Sequence, residues 1–221
     1  MPRPRVLDLS QLMDMAERLA AESGPRAVTI RALSEATSIS NGAIYHAFGS
    51  RAGLLGHVWL RAAKRYLSVQ RTAVAQALSS GTSREPVADA VVAAARCPAT
   101  FFSQDPCSAR FLLAVHRDDL FESGELPSEL ADDLRRLDHE LGGLLIELSE
   151  RMWNRRDRYA VAAIRACVVE LPTALVIRGQ EPPDSSALQR LDVAVRAVLT
   201  LTPPIKASTK RDKGAHHDRD G

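Results

Sequence analysis

Residues 29–48 read TIRALSEATSISNGAIYHAF, and this stretch decides the fold. Thr29 and Ser40 are good N-cap residues, and each precedes a short run of apolar residues at helical spacing. A turn of three or four residues lies between the two runs. Two short helices joined in this way are typical of a helix-turn-helix, whose second helix enters the major groove of DNA.

The side chains of this segment divide into two sets. One set is apolar and is expected to face a small core shared with the preceding helix: Ile30, Leu33, Ala36, Ile39, Ile44 and Phe48. The other set is left to solvent: Arg31, Ser38, Asn41, Gly42, Tyr45 and His46. Hydroxyls, amides and helix N-termini hold phosphate oxygens, and small or amide side chains reach base edges, so the second set suits duplex DNA.

Helical spacing continues on both sides of this segment. Before it, Asp8 is expected to cap a helix that Gly24 and Pro25 end. After it, Ser50 is expected to cap a helix of some 28 residues, roughly 42 Å long at 1.5 Å per residue. A helix of that length is expected to connect two substructures or to contain a kink.

The rest of the chain also predicts helices, with proline and glycine between them. They are expected near 86–97, 106–121, 127–153, 155–179 and 185–201, with a bend over 97–106 and a kink at Pro172. No strand-like alternation occurs. The predicted class is all-α, with a helix-turn-helix domain at 1–50, a helical ligand-binding and dimerisation domain at 51–202 and a mobile basic tail at 203–221.

Charge is distributed unevenly along the 221 residues, whose formal net charge is +2. Residues 1–65 carry +4, residues 66–202 carry −4 and residues 203–221 carry +2. A basic N-terminal segment ahead of an acidic body suggests a polyanionic partner at one end. No apolar run has the length of a membrane span, the start does not read as a signal peptide, and the three cysteines form no disulfide or zinc pattern. A cytoplasmic protein without a membrane partner is expected.

The motif residues resemble the DNA-binding domain of TetR-family transcriptional regulators. The resemblance is carried by Gly24, residues 28–34, residues 38–48, Ser50-Arg51 and Leu54-Leu55, and covers about residues 9–56. The chain departs from the family pattern in three places. Thr37-Ser38 stands where Ala-Gly is common, Arg51 replaces the usual lysine, and Ala52-Gly53 stands where an acidic residue commonly follows.

The resemblance implies a set of DNA-binding residues. These are Thr29, Arg31, Ser38, Ser40, Asn41, Gly42, Tyr45, His46 and Arg51. Thr29, Ser40 and Tyr45 would contact phosphates, and Asn41 and Gly42 would approach bases, because a helix without a side chain at Gly42 can lie close. Arg3 and Arg5 are candidates for an arm in the minor groove.

The resemblance also implies a C-terminal domain that dimerises and encloses a small, largely apolar effector. The expected dimer residues are Val161, Ile164, Val168, Leu171, Leu175, Leu188, Leu191, Val195 and Val198. The expected ligand residues are Trp59, Phe101, Phe102, Cys107, Phe111, His116 and Trp153. For both sets the alternative is that the side chains pack in the core of a single chain.

Enzyme motifs are absent, and no catalytic, metal or cofactor site is predicted. The histidine and carboxylate runs at 116–119 and 132–140 read as solvated helix faces. The prediction is therefore a ligand-responsive DNA-binding regulator that binds an inverted-repeat operator as a homodimer, with repression implied by the family. The alternative is a helical enzyme or protein-interaction module with a vestigial helix-turn-helix.

Overall fold

The computed structural model describes residues 8–80, 85–122, 126–177 and 184–204, and its regular structure in these ranges is entirely helical. The helices are α1 (Leu9–Ser23), α2 (Ile30–Thr37), α3 (Asn41–Phe48), α4 (Arg51–Ser79), α5 (Pro86–Gln104), α6 (Pro106–Ala114), α7 (Arg117–Glu122), α8 (Ser128–Trp153), α9 (Arg158–Arg165) and α10 (Ser185–Leu199). The α9 axis continues through two π-helical segments, Ala166–Glu170 and Thr173–Ile177. The predicted all-α class is confirmed.

The predicted N-caps begin the first four helices. Asp8, Thr29, Ser40 and Ser50 each accept a backbone N–H of the helix that follows, at 2.9–3.2 Å. Each of these bonds satisfies a donor that the first turn of a helix leaves unpaired. The boundaries of α1 to α4 therefore agree with the sequence pattern to within a few residues.

Two hydrophobic cores share the long helix α4. Its first turns contribute Leu54 and Val58 to the core of the N-terminal helices, where Leu12, Leu33 and Ile44 are also buried. Further along, α4 contributes to a larger core that includes α5, α8 and α10: Leu60, Ala63, Leu67 and Val74. Because one rigid helix enters both cores, the two groups of helices are joined through its packing.

The bend predicted over 97–106 lies at Asp105, between α5 and α6, and not at Cys97-Pro98, since α5 continues through Pro98 to Gln104. Pro98 lacks an N–H and leaves the Ala94 carbonyl, four residues earlier, without its helical donor. The buried Gln70 amide of α4 replaces that donor, because its Nε2 donates to Ala94 O at 3.2 Å. A tertiary hydrogen bond thus preserves a helix that local sequence disfavours.

The predicted continuous helix 106–121 is also divided, into α6 and α7, at Val115 and His116. The Trp59 indole donates to the Val115 carbonyl at 3.1 Å and pairs the end of α6. Pro172 lies between the two π-helical segments, so the expected disturbance at this proline takes the form of widened turns.

The chain after α10 begins as a packed segment. Arg155 donates to the carbonyls of Pro203 and Pro204, at 2.6 and 2.9 Å, and Pro203 is buried. Most of the predicted tail, residues 205–221, lies outside the described residues, as do Arg3 and Arg5 of the predicted arm.

One stretch, Arg158–Ile177, has the length and composition of a membrane span, with a mean hydropathy of 1.9 and 33% of its window buried in the chain. Length and composition alone are weak evidence for a membrane span, because the core helix of a globular protein can have both. The stretch packs against α5, α8 and α10.

Candidate DNA-binding site

The third helix is held to the N-terminal core by two side chains and exposes the rest of its surface. Ile44 is fully buried and Phe48 is 4% exposed, while Tyr45 between them is 54% exposed. The Phe48 ring meets the half-buried His57 edge to face, with ring centroids 5.6 Å apart. Burial lowers the pKa of His57, so this contact on the inner side of α3 is neutral.

All nine predicted DNA-binding residues lie on the surface. They are Thr29, Arg31, Ser38, Ser40, Asn41, Gly42, Tyr45, His46 and Arg51. Three of these residues lie at helix N-termini: Thr29 caps α2, Ser40 caps α3 and Arg51 begins α4. Each of these helix ends presents backbone N–H groups suited to phosphate oxygens.

The turn between α2 and α3 depends on one strained residue. Ser38 has φ 58° and ψ 23°, a left-handed conformation that glycine adopts more easily than serine. Thr37 stabilises the preceding turn, since its hydroxyl donates to the Leu33 carbonyl at 2.6 Å. The departure from the family's Ala-Gly pattern thus retains the geometry of the turn.

Two of the predicted arginines have intramolecular partners. Arg51 donates from Nε to Val28 O at 2.7 Å and from Nη2 to Pro25 O at 2.6 Å. It therefore ties the start of α4 to the connection between α1 and α2. Arg31 pairs with Glu35 at 2.8 Å, but both side chains are well exposed, so this pair is weak.

Gly42 has no packing partner that requires a glycine. A Cβ at this position would meet nothing within 4 Å in the free chain. Glycine near the start of a helix is less stable than alanine, so its presence here is unexplained by the fold alone.

A buried polar network, which the sequence analysis did not predict, joins α1 to α4 and α6. Glu17 is 3% exposed and accepts from Arg61 at 2.8 Å and from Arg65 at 2.6 Å. The Ser108 hydroxyl, in the first turn of α6, lies 2.6 Å from Glu17 and 2.7 Å from Asp105. This carboxylate links the helix-turn-helix domain to the second domain through three side chains.

The seven predicted ligand residues do not form one site. Phe111 is fully buried in the N-terminal core, His116 is exposed, and Trp153 packs against the larger core. Trp59 contacts both cores and holds the end of α6 through its indole. Phe101 and Phe102 lie on α5 in a separate small cluster with Ala109, and Cys107 lies in the first turn of α6.

The predicted dimer residues divide into buried and accessible members. Ile164, Val168, Leu191 and Val195 are at most 2% exposed and pack in the core of the chain itself. The apolar faces of their helices face the chain's own core. The remaining members are partly or fully accessible: Val161, Leu171, Leu175, Leu188 and Val198.

The class of protein follows from this arrangement. A capped helix-turn-helix with an exposed second helix, joined by one long helix to a larger helical domain, is the architecture of a DNA-binding regulator. Residues 12–58 match the family described as bacterial regulatory proteins of the tetR family. This N-terminal segment, from α1 to the first turns of α4, is therefore similar to the DNA-binding domain of that family.

Solved structures share the fold over most of the chain. PfmR, a TetR-family regulator from Thermus thermophilus, is 21% identical with a TM-score of 0.59, over 88% of this chain and 96% of its own. FadR, a fatty acid degradation regulator from Bacillus halodurans, is 16% identical with a TM-score of 0.58, over 89% and 97%. The multidrug binding protein EbrR, complexed with imidazole, is 15% identical with a TM-score of 0.56, over 94% and 99%. No curated protein sequence matches the chain.

Proposed function

We propose that the chain is a ligand-responsive repressor that binds an inverted-repeat operator as a homodimer and is released by a small, largely apolar effector. The observation that carries this proposal is the exposed start of α3, where Asn41, Gly42 and Tyr45 lie beside the buried anchors Ile44 and Phe48. The neighbours FadR and EbrR are named for fatty acid degradation and for multidrug binding, which supports an effector in the second domain.

The exposed groups have the chemistry that duplex DNA requires. Thr29, Ser40 and Tyr45 supply hydroxyls for phosphate oxygens, and the N-termini of their helices add N–H donors. Asn41, at the first position of α3, has an amide suited to the edge of adenine. The missing side chain at Gly42 lets the helix approach the floor of the groove.

A homodimer would place two copies of α3 on two half-sites. Three of the six large apolar side chains that are exposed among the described residues lie at the C-terminal end of the chain: Leu175, Val193 and Leu201, with exposed fractions of 37%, 64% and 67%. The stretch Arg158–Ile177, which carries Leu175, packs against α10, which carries Val193, and we propose that the three exposed side chains belong to one surface. Covering it with a second copy would bury apolar area and account for the high hydropathy of the stretch.

The Glu17 network offers a route from an effector to the DNA. Turning the helix-turn-helix domain away from α6 would separate Glu17 from the Ser108 hydroxyl, and a buried carboxylate that loses a hydrogen-bond donor is destabilised. The orientation of the domain is therefore linked to the position of α6. An effector that prefers a shifted α6 would change the distance between the two recognition helices.

The experiment that tests DNA recognition compares two single variants on a duplex selected by the wild-type chain. Tyr45→Ala is expected to weaken binding to all duplexes, because a phosphate contact is lost without regard to sequence. Asn41→Ala is expected to weaken binding and also to relax the preference at one base pair in each half-site. Binding by both variants as tight as that of the wild type would contradict the proposed site.

Oligomeric state is tested separately with two variants, each of which introduces an aspartate at an exposed apolar position. Val193→Asp is expected to convert the chain to a monomer in sedimentation velocity, because it places a charge in the proposed interface. Ile146→Asp on α8, which is also an exposed apolar position, is the control and is expected to remain dimeric. A dimer that survives Val193→Asp would contradict the interface.

A further inference from the structure

The connection between α1 and α2 presents one arginine to solvent. It consists of a short 3₁₀ turn, Pro25–Ala27, followed by the extended residue Val28. Val28 is fully buried in the N-terminal core and Pro25 and Ala27 are partly buried, whereas Arg26 is exposed. Because successive side chains of a 3₁₀ turn point in three different directions, the burial pattern places Arg26 on the outer side of the turn.

The backbone on both sides of Arg26 is held by Arg51 of α4. The Arg51 guanidinium donates to Pro25 O at 2.6 Å and to Val28 O at 2.7 Å. A planar guanidinium can bind two acceptors at once, so one side chain fixes both ends of the turn. Ordering Arg26 on a ligand therefore costs little more than the freedom of its own side chain.

Arg26 has no partner within the described part of the chain. Among the described residues, Arg18 and Arg26 are the two arginines without a hydrogen bond, an ion pair or a ring contact. Their surroundings differ. Arg18 lies on the same face of α1 as Asp14 and Glu22, four residues away on either side, and these carboxylates repel an anion. Arg26 follows the end of α1, outside this row of charges, and is therefore the better placed of the two to bind an anion.

Arg26 also lies close to a group that is proposed to contact DNA. Thr29, the N-cap of α2, follows Arg26 by three residues, so their Cα atoms are at most about 11 Å apart. A guanidinium forms charge-assisted hydrogen bonds with phosphate oxygens. Each phosphate that a cation neutralises also releases counterions from the duplex, which strengthens binding at low salt.

We infer that Arg26 binds a phosphate of the DNA backbone beside the phosphate contact of Thr29, and that it strengthens binding to every duplex without reading the sequence. The inference rests on the proposed function, because it extends the same DNA-binding surface. The sequence analysis did not select Arg26. Its fixed and outward position depends on Arg51, which is distant in the sequence.

The test measures the salt dependence of DNA binding. Fluorescence anisotropy with a labelled duplex compares Arg26→Gln with the wild type over a series of salt concentrations. One lost phosphate contact should make the slope of log affinity against log salt concentration shallower by about 0.9. The same loss should weaken binding about eightfold at about 0.1 M salt, for selected and unselected duplexes alike. A slope equal to that of the wild type would overturn the inference.

Two further variants separate a direct contact from a general effect of charge. Arg26→Lys retains the charge, so it should keep the slope and bind within about twofold of the wild type. Arg18→Gln removes the same charge at the other arginine without a partner, and it should keep the slope of the wild type. A slope that falls as much in Arg18→Gln as in Arg26→Gln would overturn the inference, and so would a slope that falls in Arg26→Lys.

Failure of this inference is distinguishable from failure of the proposed function. A chain that selects an inverted repeat, but whose Arg26→Gln variant keeps the full slope, retains the proposed function and loses this contact. A chain that binds random duplexes without enrichment, and whose slope falls in Arg26→Gln, supports the contact and contradicts the proposed function. A chain that binds no duplex contradicts both.

Discussion

Replacing Gly42 by alanine should make the chain more stable and a poorer DNA binder. The added Cβ meets nothing within 4 Å in the free chain, and Gly42 lies in the first turn of α3 with ordinary helical backbone. Alanine is favoured over glycine in a helix by about 0.5–1 kcal/mol, so the free energy of unfolding should rise by about that amount. If α3 approaches the bases, the same methyl group displaces the helix and removes a base contact.

The loss in DNA binding follows from the value of such contacts. A well-placed base contact contributes about 1–3 kcal/mol, so Gly42→Ala should weaken operator binding by about tenfold or more. Gly143→Ala is the matched control, because Gly143 is exposed in the middle of α8 and its added Cβ would also meet nothing within 4 Å. It should stabilise the chain to a similar extent and leave the DNA affinity unchanged.

Urea unfolding measures the stabilities, and fluorescence anisotropy with a labelled operator duplex measures the affinities. The reasoning would be refuted by a Gly42→Ala chain that binds DNA as tightly as Gly143→Ala. A Gly42→Ala chain that is less stable than the wild type would refute the premise that glycine serves no purpose in the free fold.

Three further predictions concern stability. Glu17→Gln should lower the free energy of unfolding by about 3 kcal/mol, because it leaves two arginines without their buried carboxylate. Glu22→Gln, at an exposed position of the same helix, is the control and should change the free energy of unfolding by less than about 0.5 kcal/mol. Equal effects of the two variants in urea unfolding would contradict the network. Ser38→Gly should stabilise the chain by about 1 kcal/mol and raise Tm by about 2–4 °C, because it relieves the left-handed strain at φ 58°. A Tm lower than that of the wild type would show that the Ser38 hydroxyl stabilises the fold by more than the strain costs. The Arg155 guanidinium lowers the pKa of Asp157 from 3.8 to about 2, so Asp157 stabilises the fold above pH 3.8 and this contribution is lost as the pH falls toward 2. Asp157→Asn should therefore lose less stability than the wild type between about pH 4 and pH 2 in urea titrations, and identical pH profiles would count against the pair.

The N-terminal helices could be predicted from the sequence because their signals are local. Asp8, Thr29, Ser40 and Ser50 each place a capping oxygen directly before an apolar stripe, and the structure uses all four. Local chemistry of this kind needs no knowledge of distant residues. The surface of α3 was predictable for the same reason, since its buried positions follow the helical period.

The second domain was harder to predict because distant contacts override local preferences. Pro98 favours a break, but Gln70, 28 residues earlier in the chain, supplies the missing donor from another helix. The apolar stripes of α9 and α10 also did not indicate whether their side chains pack against a second copy or in the core of the single chain. Ile164 and Leu191 are buried in the single chain, a placement that depends on helices far away in the sequence.

The polar groups of the interior had a signal that the sequence interpretation did not use. Gln70 occupies a position between Leu67 and Val74 where the stripe of α4 would otherwise be apolar. Glu17 likewise follows Ala16 on the inner side of α1. A polar residue at a position that the helical period assigns to the core requires a buried partner, and both residues have one.

Selection from random duplexes is the most direct test of the central claim, that this chain is a dimeric reader of DNA sequence. The purified chain is mixed with a pool of random double-stranded DNA, and the bound fraction is sequenced. Enrichment of an inverted repeat, with half-site centres about 34 Å or a multiple of that distance apart, is the predicted result. Recovery of the pool without sequence enrichment, from a chain whose unfolding is cooperative, would contradict the account.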